Sequence, residues 1–170
     1  MTKRLLRSLL LLLAITTQAA EVLHDGKVVL SYRAQWAGDY LVIRAAIEPG
    51  WHTFVMDNEQ RQKEKLKGKP SLGIEKSTEI TVEGLSATGP WLQSEPKDFS
   101  KPELRWYSWG FERDAVFATK AKRAGQGPAK VGIKGQACSG DICKNIDVEL
   151  TVASDKQASG WDLKSLIPVR

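Results

Sequence analysis

The feature that most limits the fold of this chain is an alternation of apolar and polar side chains with a period of two. In an extended strand every second side chain points to the same face, so this period predicts strands with one buried face. The apolar members before a turn at Gly38-Asp39 are Val28, Leu30, Tyr32, Ala34 and Trp36, and those after it are Leu41, Ile43, Ala45 and Ile47. The two runs predict a β-hairpin that ends at Pro49-Gly50.

Later segments bounded by turn-forming residues also predict strands, and no window after residue 20 shows a sustained helical period. These segments are 51–56, 79–83, 115–121, 129–137 and 146–152. In the third of them we expect Val116 and Ala118 to face inward, and in the last Val148, Leu150 and Val152. Short strands without helices between them predict an all-β fold, an antiparallel β-sandwich.

The middle of the chain is interrupted by glycine and proline at residues 68–70, 89–90, 96 and 102. These residues predict long loops, because proline cannot continue a sheet ladder. A charged run at residues 61–67 predicts a solvated loop or an exposed short helix. The same region is rich in aromatic residues, which either cap the open end of the sandwich or stack on a sugar or a peptide. They are Trp91, Phe99, Trp106, Tyr107, Trp109 and Phe111.

The N-terminus has the order of a secretory signal peptide over residues 1–20. Lys3, Arg4 and Arg7 precede an apolar run at residues 9–15 and a stretch of small and polar residues that ends at Ala20. The apolar run is shorter than the about 20 residues that span a bilayer, and no cysteine follows it to accept a lipid. We therefore expect cleavage after Ala19 or Ala20 and a location in the periplasm or otherwise outside the cytoplasm, rather than an uncleaved membrane anchor.

Loss of this leader changes the charge of the chain from +5 to +2, with 22 basic and 20 acidic residues remaining. So small an excess does not predict a nucleic-acid partner. The remaining length suits one domain over residues 21–153. For the tail at 154–170 two interpretations stay open: a short helix with four apolar side chains packing on the sandwich, or a mobile segment. The four side chains are Trp161, Leu163, Leu166 and Ile167.

Cys138 and Cys143 are the two cysteines of the chain, and they lie between two predicted strands. The four residues between them would form a hairpin loop that brings the sulfur atoms close enough to bond. Export permits a disulfide. The spacing does not form a recognisable zinc site with His24 and His52, which are far away in sequence, and no metal or organic cofactor is required.

The spacing by itself leaves two roles open for such a bond. A closed loop of about 6 residues gives only about 2 kcal/mol of stabilisation, against about 4 kcal/mol for a bridge between distant strands, so a pure staple would be better placed elsewhere. Small exported domains nevertheless use disulfides mostly for stability. The bond is therefore either a structural staple or an exchanging redox pair.

Two motifs together resemble a known family. The string from Pro49 to Phe54, followed by a proline-interrupted middle, an aromatic segment and the string from Gly135 to Cys143, resembles the periplasmic N-terminal domain of the thiol-disulfide interchange protein DsbD. The likeness covers roughly residues 22–152. It implies an immunoglobulin-like sandwich in which a cysteine pair relays electrons to or from thioredoxin-like proteins of the periplasm, a protein thiol-disulfide oxidoreductase activity.

The resemblance also implies roles for single residues. Cys143 would form the transient mixed disulfide and Cys138 would resolve it, while an aromatic side chain after Trp51-His52 would shield the bond, with the segment including Phe54 and Asp57 as the candidate. The family often has proline and an aromatic residue after the second cysteine, where this chain has Lys144-Asn145. The full-length family also carries membrane and thioredoxin-like modules, so the reductant would come from another protein, such as a membrane reductant conductor.

The two histidines are weaker candidates for chemistry. His52 has a pKa range that suits a base for a nearby thiol, but a histidine beside tryptophan at the start of a strand more often packs within the fold. His24 is expected to be exposed or disordered near the cleavage site. The alternative function is a non-catalytic exported binding module, in which the disulfide holds a hairpin and aromatic loops contact a peptide or a glycan.

Overall fold

The computed structural model describes residues 19–73, 75–125, 127–140, 142–152 and 162–170. Within these ranges the chain is built mainly of β-strands, with one α-helix, α1 (Asn58–Lys65), and two 3₁₀ turns at Pro102–Leu104 and Leu163–Ser165. The strands are β1 (Ala20–His24), β2 (Lys27–Ala37), β3 (Tyr40–Ile47), β4 (His52–Phe54), β5 (Glu79–Glu83), β6 (Leu85–Gln93), β7 (Lys97–Asp98), β8 (Trp109–Phe111), β9 (Asp114–Arg123), β10 (Ala129–Ser139), β11 (Ile142–Val152) and β12 (Ile167–Pro168).

The strands form two antiparallel sheets. The first sheet has the order β1-β2-β3-β9-β6-β12, and the second has the order β11-β10-β4-β8-β7, with β5 also paired to β10. On the side away from β11, β10 pairs with β5 at residues 130–134 and with β4 at residues 137–138. The predicted antiparallel β-sandwich is confirmed, and residues 137–138 become the centre of a three-strand patch of β11, β10 and β4.

One core lies between the sheets and is filled by the predicted period-two faces. From the first sheet, Leu30, Tyr32 and Ile43 are fully buried, and from the second, Val131 and Ile133 meet them. Each of the aliphatic side chains among them contributes about 1.5–3 kcal/mol when it leaves water. The predicted inward face of the last long strand is also confirmed, since Leu150 and Val152 are buried and Val148 packs against the same core.

The inward face predicted for β9 is wrong. Ala115 and Phe117 belong to the core, and Phe117 packs edge-on against Phe111 at 5.6 Å between ring centroids. Val116 and Ala118 point to the other side of the sheet. Both faces of this central strand are apolar, so a period of two could not decide which of them faces the core.

The long loop expected around Gly89-Pro90 is instead part of β6. Its pairing with β9 shifts register between Ala87 and Trp91, so the two interrupting residues occupy an irregularity in the ladder. Proline is tolerated in a sheet at such bulges, where its missing N–H leaves no partner unsatisfied. The sequence did not predict this strand, because proline in the middle of a strand usually ends it.

The two ends of the described chain both contribute edge strands. β1, not expected from the sequence, pairs with β2, and it leaves His24 half-buried with its ring edge-on to Trp51 at 5.3 Å, so the exposure expected for His24 is wrong. β12 pairs with β6, and its Ile167 is half-buried, as are Leu163 and Leu166. The expected leader up to residue 18, and residues 153–161 of the expected tail, including Trp161, lie outside the described residues.

The turn at Pro49-Gly50 carries the chain from one sheet to the other. Gly50 has φ +84°, in the left-handed region that favours glycine, and the Trp51 N–H donates to the Glu48 carbonyl at 3.0 Å. Because β3 belongs to the first sheet and β4 to the second, this turn places His52 and Thr53 beside β10. The Thr53 hydroxyl donates to the Gln136 carbonyl at 2.9 Å and holds β4 there.

Gly110 of β8 packs so closely against β4 that a side chain would not fit. A Cβ at this position would collide with the carbonyl of Thr53 and press on the ring of Phe99. We expect Gly110→Ala to lower the free energy of unfolding by about 1–3 kcal/mol, since the paired strands cannot move apart freely. Denaturant unfolding measures this, with Gly125→Ala as the control, because a Cβ there meets nothing within 4 Å. Equal effects of the two variants would contradict the close packing.

Candidate functional site

The two cysteines are bonded across the hairpin of β10 and β11. Cys138 and Cys143 are register partners, their Cα atoms are 4.1 Å apart, and a disulfide joins them. The hairpin is tighter than expected, because Ser139 and Ile142 are themselves paired. Gly140 follows β10 with φ +55°, a conformation that glycine adopts without strain. The bond therefore sits at the last but one pair of the ladder, next to the turn.

The two halves of the disulfide differ in exposure. Cys138 is 3% exposed, whereas Cys143 is an exposed residue. The difference follows from strand order, since β10 has neighbours on both sides while β11 is an edge strand of the second sheet. Directly paired residues share a face, so both sulfur atoms lie on the side of the sheet that faces away from the core, as do Gln136 and Lys134.

His52 is the neighbour of Cys138 on the other side. The register of β4 with β10 sets His52 opposite Cys138 and Thr53 opposite Ala137. Side chains directly opposite in an antiparallel pair have Cβ atoms about 4.5–5.5 Å apart and lie on one face. Cys143, Cys138 and His52 therefore form a row across three strands.

Two aromatic rings enclose the inner end of this row. Phe99 stacks on His52 at 4.7 Å between ring centroids and 20° between planes, and Phe54 meets the same imidazole edge-on at 5.3 Å. The N–H of Phe99 donates to the Ser108 carbonyl at 2.9 Å, which fixes the backbone that carries the ring. The half of the disulfide at Cys138 is thus covered, and the half at Cys143 is open.

The imidazole of His52 is half-buried, and burial lowers its pKa below the usual 6.5. Glu112 acts in the opposite direction and Lys97 in the same direction as burial. These two charges also pair with each other, Lys97 Nζ to Glu112 Oε2 at 2.9 Å, so each partly cancels the other's field. His52 is therefore a neutral imidazole at neutral pH, a state that can accept a proton.

A cleft of about 460 Å³ opens beside the exposed sulfur, between β1 and β11. Leu23, which lines it, is 53% exposed, and Ile142, next to Cys143, is 49% exposed. These two exposed apolar side chains flank the exposed half of the disulfide. The lining residues are Glu21, Val22, Leu23, Cys143, Lys144, Asn145, Asp147 and Val148.

A second polar cluster is centred on Asp57 and lies inside the protein. Asp57 Oδ1 accepts from Arg61 Nε at 2.9 Å and from Gln93 Nε2 at 2.7 Å, and its Oδ2 accepts from the backbone N–H of Arg170 at 3.2 Å. Both ionic side chains are buried, so the exposure predicted for the charged run is wrong at its first residue, Arg61. Through these bonds Asp57 joins α1, β6 and the end of the described chain.

Two lysines near the disulfide and most of the aromatic residues have defined places in the fold. Lys134 Nζ lies 3.9 Å from Asp147, and Lys144 opposes Ala137 and so points to the face away from the sulfur atoms. Of the six aromatic residues, Phe111 is in the core and Trp91 and Trp109 pack against it, while Phe99 belongs to the disulfide site. Sequence reasoning missed Phe99 and the placement of His52, since no local pattern shows which strand lies beside β10.

Two features are absent from the part of the chain that the structure describes. No helix there is long and apolar enough to cross a membrane. No group of three or more His, Cys, Asp or Glu side chains is arranged to hold a metal ion in the same residues.

Comparisons by sequence find no relatives, whereas comparison by structure does. No protein-family model and no curated protein matches the chain. The N-terminal periplasmic domain of ScsB from Proteus mirabilis is similar to it, with a TM-score of 0.52 and 15% identity over 80% of this chain and 51% of that one. The chain thus spans about half the length of that ScsB structure.

Two structures from Neisseria meningitidis are similar at a lower level, each with a TM-score of 0.47. The DsbD N-terminal domain in its reduced form is 13% identical over 75% of this chain and 87% of that one. The complex between the DsbD N-terminal and PilB N-terminal domains matches at 16% identity over 78% of this chain and 88% of that one. On the likeness to the ScsB domain, this chain has the fold of that N-terminal domain.

Proposed function

We propose that this domain exchanges thiols and disulfides with thioredoxin-like proteins through Cys138 and Cys143. The observation that carries the proposal is the unequal exposure of the pair, with Cys143 open to solvent and Cys138 covered. In thiol-disulfide exchange one sulfur must be reachable by a partner, and its neighbour must be close enough to displace that partner. Cys143 suits the first role and Cys138 the second.

The strand pairing argues that the bond is not needed as a staple. All 11 residues of β10 pair with β11, from Ala129 opposite Val152 to Ser139 opposite Ile142. A cross-link stabilises chiefly by closing a loop in the unfolded chain, and this one closes a loop of only about 6 residues. The backbone ladder already holds the same two strands together, so a purely structural bond would add little.

The exchange balances without a cofactor. In the reduced domain the Cys143 thiolate attacks a partner disulfide, a Cys143–partner disulfide forms, and one partner sulfur leaves as a thiolate that takes a proton from water. The Cys138 thiol loses its proton and attacks the Cys143 sulfur, which forms the internal disulfide and releases the second partner thiolate. Two electrons pass to the partner. In the reverse direction a partner dithiol reduces the domain.

The setting proposed for this chemistry is the periplasm or another extracytoplasmic compartment. Residues 1–20 have the order of an export signal, and an oxidising compartment lets a disulfide persist. The partner class, thioredoxin-like proteins with a membrane reductant conductor as a further candidate, follows from the resemblance in the two motifs. The exposed Leu23 and Ile142 beside Cys143 offer such a partner an apolar contact.

A redox titration of the purified domain tests the proposal. We expect a midpoint potential between about −120 and −270 mV, the range of known thiol carriers, measured by trapping free thiols across a series of glutathione or dithiothreitol ratios. A potential below about −300 mV would mark a structural bond and would favour the non-catalytic binding module. The variant that lacks both cysteines is the control for thiol counting and should not titrate.

A further inference from the structure

Cys138, the buried half of the disulfide, must lose a proton before it can attack a mixed disulfide. When the bond is reduced, the Cys138 sulfur carries a proton, and burial raises the pKa of a thiol because it disfavours the charged thiolate. Cys138 is 3% exposed, so water has little access to that proton. A thiol resolves a mixed disulfide only as the thiolate. A proton acceptor within the protein would remove this obstacle.

Besides Cys143, the described structure sets one titratable side chain directly opposite Cys138. His52 is its register partner on β4, with the imidazole on the same face, and the ring is held by Phe99 and Phe54. Lys134 shares that face but lies four residues along β10, about 13 Å away, and pairs with Asp147. Lys144 points to the opposite face. Neither lysine is placed to take the proton.

We propose that His52 accepts the proton of the Cys138 thiol as that sulfur attacks the mixed disulfide, and returns it when the internal disulfide is reduced. This assignment rests on the proposed exchange function and adds a residue to it. The proton moves from Cys138 Sγ to an imidazole nitrogen and from there to water, since His52 is only half-buried. In the reverse direction the imidazolium protonates the Cys138 thiolate as it leaves the Cys143 sulfur.

The groups around His52 favour this role. From β10 it faces Cys138, from β4 and the segment after β7 it meets the uncharged rings of Phe54 and Phe99, and the charges acting on it are Lys97 and Glu112. Lys97 and Glu112 pair at 2.9 Å, so neither charge acts alone on the imidazole. Because burial keeps the ring neutral at neutral pH, its free nitrogen is available as a base.

Rapid mixing of the reduced domain with a chromogenic aromatic disulfide, dithiobis-nitrobenzoate, separates the two steps. Attack by Cys143 releases one coloured thiolate, and attack by Cys138 on the resulting mixed disulfide releases the second. We expect His52→Gln to slow the second release at least about tenfold at pH 7 and to leave the first within about twofold, because a positioned base contributes about a hundredfold or more. His24→Gln is the matched control and should change neither rate.

The pH profile separates proton transfer from a merely structural role. For the natural domain the second release should level off above the pKa of His52, whereas in His52→Gln it should keep rising with pH, so the ratio of the two rates should shrink toward high pH. His52→Phe keeps a ring against Phe99 and should behave as His52→Gln does. A ratio that stays constant with pH, or equal slowing of both releases, would overturn the assignment.

The same experiment distinguishes failure of the role of His52 from failure of the exchange function. If the natural domain releases two thiolates and has a potential in the carrier range while His52→Gln matches it, only the role of His52 fails. If the natural domain releases one thiolate or none after reduction, Cys138 does not resolve the adduct, and the exchange function itself fails. Circular dichroism and thermal unfolding of each variant show whether the sandwich is retained.

Discussion

The Cys138→Ser domain should accumulate as a covalent adduct with a thioredoxin-like protein, while Cys143→Ser should form almost none. The exposed Cys143 can reach a partner sulfur, and without Cys138 nothing in the domain displaces that partner. In Cys143→Ser the remaining thiol lies on the inner strand β10, covered from the side of β4 by His52 and its two aromatic neighbours. We expect at least about a tenfold difference in adduct yield between the two variants.

The measurement is a non-reducing gel with a defined partner. A thioredoxin-like protein that keeps only its exposed active-site cysteine, activated as a nitrobenzoate disulfide, is mixed with each reduced variant, and the adduct is quantified against time. The variant without either cysteine gives the background. Equal yields from Cys138→Ser and Cys143→Ser would contradict the division of roles, and adduct from Cys143→Ser alone would reverse it.

Loss of the Asp57 carboxylate should be the most damaging single change outside the hydrophobic core. Asp57→Ala leaves the Arg61 guanidinium buried without its partner and removes acceptors for Gln93 and for the N–H of Arg170. Breaking a buried ion pair in this way costs about 3–5 kcal/mol, a large part of the about 5–15 kcal/mol that holds a domain folded. Denaturant unfolding at pH 7 measures the loss.

The matched control is an aspartate in an ion pair at the surface. Asp114 accepts from Arg44 at 2.7 Å, but both side chains are half-exposed, so Asp114→Ala should cost less than about 1 kcal/mol. A second check removes Arg61 as well. Because the unpaired charge is the main cost, the double variant Asp57→Ala, Arg61→Met should lose less stability than the sum of its single changes. An Asp57→Ala loss no larger than that of Asp114→Ala would contradict the buried network.

Acid should remove the same stabilisation. Burial by itself would raise the pKa of Asp57, but hydrogen bonds from Arg61, Gln93 and the Arg170 backbone, together with the charge of Arg61, outweigh it and hold the pKa below 3.8. A lowered folded-state pKa gives stability that is present above the unfolded value and is lost as the pH falls through the folded value. The difference between the natural domain and Asp57→Ala should therefore be constant from pH 7 down to about 4 and shrink below that.

Much of the strand content could be predicted from local patterns, and the misses have physical causes. Most of the faces predicted for β2, β3 and β11 are confirmed, because one side of each strand meets the core. The exceptions are Val29, which is in the core in place of Val28, and Val42, which is buried on the other face of β3. β9 is apolar on both faces, so alternation could not orient it. β6 carries Gly89 and Pro90 at an irregular point of its pairing with β9, where the usual rule against proline in a sheet does not hold.

The burial of the charged run at residues 61–67 and the place of the aromatic segment also depend on contacts that the local sequence does not show. Arg61 lies in a short helix and is buried together with Asp57, four residues before it. The same carboxylate accepts from Gln93 of β6 and from the N–H of Arg170, two distant groups that no local pattern connects to the charged run. Of the aromatic residues, Phe111 lies in the core and Trp91 and Trp109 pack against it. Phe99 is different, since its partner is His52 and that contact depends on β4 and β7 both pairing with β8.

By itself the sequence determined that this chain forms an antiparallel sandwich and that Cys138 lies near Cys143, because period-two alternation and hairpin pairing act between residues that are close along the chain. Only the tertiary structure decided that β4 lies beside β10, that β11 is an edge strand and that the two sulfur atoms are unequally exposed. Strand order between distant segments is set by how whole sheets bury their apolar faces. No local pattern records that outcome, and it is what brings His52 to Cys138.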